Sequence, residues 1–128
     1  MINWFEKHHK ISFIILAIVG ITIFYVSSLS FPPSLESDPL KPLLYHFFAF
    51  FFFALFLFIF SIRGKNRNLF ALAITISFIY AVIDELHQSF VPFRDASISD
   101  IFTDTTGILF AFIIYSILLV YRGKNHSI

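Results

Sequence analysis

Residues 43–62 read LLYHFFAFFFFALFLFIFSI. A helix rising about 1.5 Å per residue needs roughly 20 apolar residues to cross the hydrocarbon of a bilayer. This stretch supplies them, with His46 the only residue that titrates near neutral pH. Three further runs flank it. Ile11 to Ser30 carries no charge, Leu69 to Ile83 ends abruptly at Asp84, and Ile101 to Tyr121 carries only Asp104. Continuing the third run through Gln88 gives it full spanning length. Pro32-Pro33 closes the first run because proline cannot continue a helical ladder, and Pro39 and Pro42 are read as keeping the next connection irregular. Arg63 to Asn68 forms a short polar turn. The expected fold is all-α, one membrane domain over residues 1–128, with spans at about 11–30, 43–62, 69–88 and 101–121.

The whole chain agrees. Of 128 residues, 58% are hydrophobic and 13% charged, and the mean hydropathy is +0.83. A soluble domain of this size needs a polar shell that this sequence cannot supply. That excludes a soluble enzyme, a disordered chain and a nucleic-acid-binding domain. The absence of cysteine excludes disulfides, thiolate metal sites and cysteine nucleophiles. The first run is long for a signal peptide, and Ser27-Ser28-Leu29-Ser30 makes no clear cleavage site, so it is read as a retained span.

Four crossings place Lys7, Lys10, Arg63, Lys65, Arg67, Arg122 and Lys124 on one side. The positive-inside rule makes that side cytoplasmic, with both termini inside. Every acidic residue except Glu6 then falls on or near the outer side. His8, His9 and His126 lie in the basic ends and carry no signal of a site.

Ionisable groups near hydrocarbon are costly and therefore candidates for function. Here they gather at the outer ends of spans two, three and four. On a continuing helix Asp84, His87 and Gln88 share a face, and Glu85 lies three residues before Gln88. Arg94 offers a planar guanidinium suited to an anionic group. It is equally suited to an internal salt bridge with Asp84, Asp100 or Asp104. Ser97 with Asp100 resembles a capping box at the start of span four. Asp104 lies a turn deeper, on one stripe with Asp100 and Gly107, where glycine lets another helix approach. A buried Asp104 needs a partner or a proton. His46 lies at the same depth.

The string Asp84-Glu85-x-x-Gln88, Phe90-x-Pro92-x-Arg94, Ser97-x-x-Asp100 and Asp104-x-x-Gly107 resembles the signature of VanZ-like membrane proteins, as does His46-Phe47-Phe48 upstream. The resemblance covers roughly residues 38–120. In that family the turn reads P-G-R and the last helix N-x-x-G, so Phe93 stands at the usual glycine and Asp104 at the usual asparagine. Asp38 and Lys41 are near, but out of register with, a family Asp-Lys pair. The resemblance implies a bacterial inner or plasma membrane protein with a cell-envelope role. The family's name-giving member is associated with low-level resistance to teicoplanin, a glycopeptide directed at the cell wall.

Several functions fit these residues. The first is a site for a lipid-linked envelope ligand or anionic headgroup, built from His46, Asp84, Glu85, Gln88, Arg94, Asp100 and Asp104. The second is an enzyme on such a ligand, with Asp84, Glu85 and His87 as candidate acid and base groups. No H-E-x-x-H, G-x-S-x-G or phosphate-cradling glycine loop supports it. Oxygen and imidazole groups of this kind also suit a divalent cation, though the sequence requires no cofactor. The third is a small transporter, which would need polar groups through the membrane depth or an oligomer. The fourth is a structural subunit whose charges tie helix ends together.

Overall fold

The computed structural model describes residues 2–30, 40–63 and 66–125, with Lys124 and Asn125 described by backbone alone. Pro32-Pro33, Asp38, Pro39, Lys65 and His126 lie outside the described residues, as does the side chain of Lys124. All regular structure among the described residues is helical: α1 (Ile2–Lys7), α2 (His9–Ser27), α3 (Leu40–Ile62), α4 (Leu69–Gln88) and α5 (Ile98–Asn125). Four of these, α2 to α5, contain segments long and apolar enough to cross a membrane.

Helix α3 is the hub and packs on each of the others, most extensively on α5. Its start at Leu40 corrects the reading of Pro42 as part of an irregular connection. Pro42 sits in the first turn, where its missing N–H has no helical acceptor to lose. The buried positions run as helical stripes. On α5 they are Asp104, Gly107, Ile108, Ala111, Tyr115 and Leu119. On α4 the stripe is small until it turns polar: Ala73, Ser77 and Ala81, then Asp84, Glu85 and Gln88. Large apolar side chains such as Ile21, Leu72, Phe102 and Ile117 point outward, as helices bathed in lipid require.

Gly107 sets the α3–α5 spacing. A Cβ built there would collide with the Phe47 carbonyl oxygen and lie 3.1 Å from the Phe51 nitrogen. Both are backbone atoms that no rotamer change can move aside.

The end of the bundle opposite the polar cluster has its own lock. Helix α1 breaks from α2 at His8, and the Ser12 hydroxyl donates to the Phe5 carbonyl at 2.7 Å, covering an acceptor left at the break. His8 stacks on Trp4, and His9 begins α2. The break lets Glu6 turn inward. It accepts the Tyr115 hydroxyl at 2.6 Å and Arg122 Nη1 at 2.6 Å, so both ends of the described chain meet at one end of the bundle.

At the other end, Val91 to Arg94 make a tight turn closed by the Arg94 N–H on the Val91 carbonyl at 3.2 Å. Proline holds the second position and Phe93 the third, with φ of 62°. Positive φ at the third position after such a proline is the mark of a type II turn, which favours glycine. The turn returns Arg94 to α4.

Three substitutions, one of them a control, test these constraints by thermal unfolding in mild detergent. Gly107→Ala is expected to destabilise by about 1–3 kcal/mol, because two backbones must separate. Gly123→Ala, with nothing within 4 Å of the new Cβ, is expected to be neutral or slightly stabilising. Equal melting of Gly107→Ala and wild type would show that this contact does not set the spacing. Phe93→Gly is expected to stabilise by up to about 1 kcal/mol through relief of left-handed strain, since the Phe93 ring is exposed. A fall in melting temperature would show that the ring contributes more than the turn costs.

Candidate functional site

The last turn of α4 sends its polar groups in two directions. Asp84 and Gln88, one turn apart, face α2. Asp84 Oδ1 accepts the Ser27 hydroxyl at 2.6 Å, and Oδ2 accepts Gln88 Nε2 at 2.9 Å. Gln88 Nε2 also approaches Ser27 Oγ at 3.3 Å, and its Oε1 accepts Arg94 Nη2 at 2.6 Å. The chain Arg94–Gln88–Asp84–Ser27 therefore ties the 91–94 turn, α4 and α2 together. Arg94 reaches the acidic cluster through the neutral Gln88 amide. Asp84, Gln88 and Ser27 are all buried.

His87 points to α2 as well, but nearer the surface. Its Nε2 lies 2.9 Å from Ser28 Oγ, and its ring stacks on Phe24 at 4.6 Å. It does not join the inner cluster.

Glu85 faces the opposite way, toward α3 and α5. Its Oε2 accepts the Ser97 N–H at 2.8 Å. Ser97 precedes α5, and its carbonyl accepts the Asp100 and Ile101 N–H groups. The expected capping box is corrected here: the Ser97 amide that Asp100 would bind is held by Glu85 of another helix. Asp100 remains half-buried in the first turn of α5, where its charge suits the helix dipole.

Glu85 Oε1 points to His46, whose Nδ1 lies 4.0 Å away. His46 Nδ1 makes its short contact with Asp104 Oδ1, at 3.0 Å. His46, Glu85 and Asp104 come from three helices and are 1%, 2% and 0% exposed. Two oxygens of this trio, Glu85 Oε1 and Asp104 Oδ2, are buried with no hydrogen-bond partner among the described residues. The Tyr45 hydroxyl is in the same condition. The Tyr45 ring packs edge-on against that of His46, the centroids 5.7 Å apart.

Sequence reading missed Ser27, Tyr45 and the Ser97 amide. Ser27 follows buried Ile23 by one helical turn and lies on the inward stripe of α2, a signal that periodicity carries. Tyr45 gave none, because its hydroxyl matters only through the folded neighbourhood.

Beside Tyr45, α2 and α3 leave a recess of about 280 Å³, lined by Ile18, Thr22, Tyr45, Phe48, Ala49 and Phe52 among others. It is apolar apart from the Thr22 and Tyr45 hydroxyls.

Searches of curated proteins and of solved structures found no match. The VanZ/LLP1 family model matches residues 6–119, which take in every residue of the cluster and, at the other end, Glu6 and Tyr115 but not Arg122. This multi-pass membrane chain belongs to the VanZ/LLP1 family.

Proposed function

We propose that this protein binds a lipid or lipid-linked ligand of the cell envelope. The ligand's hydrocarbon chain lies along the α2–α3 recess, and its polar head enters the cluster of His46, Asp84, Glu85, Gln88, Arg94, Asp100 and Asp104. The observation that carries this reading is the junction at Tyr45. That residue lines the apolar recess, while its hydroxyl is buried with no hydrogen-bond partner among the described residues and its ring packs edge-on against His46 of the cluster. A recess open to the side of a membrane helix pair is filled by hydrocarbon, and a buried polar cluster at its end supplies the hydrogen bonds that a headgroup needs. The basic residues at the other end of the bundle support placing the site at the outer leaflet of a bacterial plasma membrane, with both termini cytoplasmic. Envelope precursors linked to lipid are exposed there, so a change in teicoplanin susceptibility is the cellular effect this reading favours.

The test is native mass spectrometry from mild detergent, comparing wild type with Ala49→Trp, which fills the recess, and Glu85→Gln, which alters the polar end. Wild type is expected to retain one defined lipid species, and both variants, at matched thermal stability, to lose most of it. Equal retention by all three would leave the cluster as a tie between helix ends.

A further inference from the structure

We propose that His46, Glu85 and Asp104 bind a divalent cation through one imidazole nitrogen and the two carboxylates. The three donor atoms lie within 4.8 Å of one another. They are delivered by α3, α4 and α5, and all three side chains are essentially inaccessible to solvent. Donors to one ion, each about 2.0–2.2 Å from it, stand no more than about 4.4 Å apart. That limit holds for donors on opposite sides of an ion; at tetrahedral or octahedral angles donors stand about 3.0–3.6 Å apart, so the longest separation in the trio must close by about 1 Å or more, a movement within reach of side-chain rotation.

The unpartnered oxygens are the second observation. Glu85 Oε1 and Asp104 Oδ2 are buried with no hydrogen bond among the described residues. Burying carboxylate oxygens without partners is costly. Protonating His46 does not satisfy both. The single Nδ1 proton goes to Asp104 Oδ1 at 3.0 Å, leaving Glu85 Oε1 at 4.0 Å. Charge points the same way. One imidazolium against two carboxylates leaves a net negative charge in the interior, whereas a divalent ion with a neutral imidazole leaves none. The remaining Glu85 oxygen keeps the Ser97 amide at 2.8 Å, so an anchor orients that ligand independently of the ion.

The donor set names the class of ion. There is no sulfur, which disfavours copper(I). Three protein donors including imidazole are too few and too nitrogenous for a calcium site of six to eight oxygens. Mixed imidazole and carboxylate ligation suits the series from Mn²⁺ to Zn²⁺, with positions left for water or a ligand oxygen.

Mn²⁺ is the probe. The full chain in mild detergent, stripped with chelator and dialysed against Mn²⁺, is expected to bind about one ion per chain, released by Zn²⁺ as the affinity order requires. Asp104→Asn and Glu85→Gln are each expected to weaken binding by at least about tenfold, while Glu6→Gln at the opposite end leaves it unchanged. Pulsed electron paramagnetic resonance on protein with ¹⁵N-histidine is expected to show one coupled imidazole nitrogen. That coupling should persist when His8, His9, His87 and His126 are replaced by glutamine. Wild type holding no more Mn²⁺ than a protein-free blank overturns the proposal, and so does binding that both carboxylate variants retain. If those variants fail to fold, the coupled nitrogen decides: its absence from wild type overturns the proposal. The ion is counted whatever lipid the sample retains, so the metal and the lipid readings can fail separately.

Discussion

The contact of Gly107 with the backbone of α3 is the constraint on which the cluster depends. With no Cβ at 107, the α5 axis comes close enough for the Phe47 carbonyl to occupy the space a methyl group would fill. Asp104 lies one turn before Gly107 on α5, and His46 lies one residue before Phe47 on α3. The same approach therefore brings the imidazole to 3.0 Å from the carboxylate. Once α3 and α5 are fixed, Glu85 on α4 can reach both His46 and the Ser97 amide that precedes α5. Asp84 and Gln88, on the other side of the same turn, reach Ser27. Lower in the bundle, the Tyr80 hydroxyl donates to the Gly20 carbonyl at 2.7 Å, again joining α4 to α2. Without water to satisfy them, these polar groups must find one another, and helix placement follows from that need.

How much of this was legible depends on whether the signal was local. Hydropathy over some 20 residues is a local sum, so the four apolar helices could be read directly. Gly107 as a point of close approach could also be read, because a glycine on the stripe of a buried aspartate has few other uses. The polar cluster was visible as a pile of ionisable residues at one depth. Its division into two sides was not, because that depends on the rotation of α4 against its neighbours. Helix α1 escaped notice because six residues carry no usable period, and its inward-facing Glu6 is satisfied by Tyr115 and Arg122, more than a hundred positions away. Pro42 misled for a different reason. A proline marks either a break or a first turn, and only the position of the helix start distinguishes them.

The two polar ends of the bundle differ in how their buried carboxylates are matched. At the α1 end, both Glu6 oxygens are taken, one by a tyrosine hydroxyl and the other by a guanidinium. The buried carboxylate is fully matched, which is what a tie between helix ends requires. Asp84 is matched in the same way by Ser27 and Gln88. Transport would call for polar groups in the middle of the bundle. There the Ser77 and Thr75 hydroxyls simply bond back to carbonyls of their own helix, at 2.9 and 2.8 Å. Among the described residues, the buried carboxylate oxygens left with no hydrogen-bond donor, Glu85 Oε1 and Asp104 Oδ2, both lie on the face of the cluster shared by α3, α4 and α5. A purely structural cluster selected for stability would gain by replacing such oxygens with apolar groups or by supplying donors for them. Their burial beside an imidazole is what a tie between helix ends does not require, and it is the feature on which the proposed metal site rests.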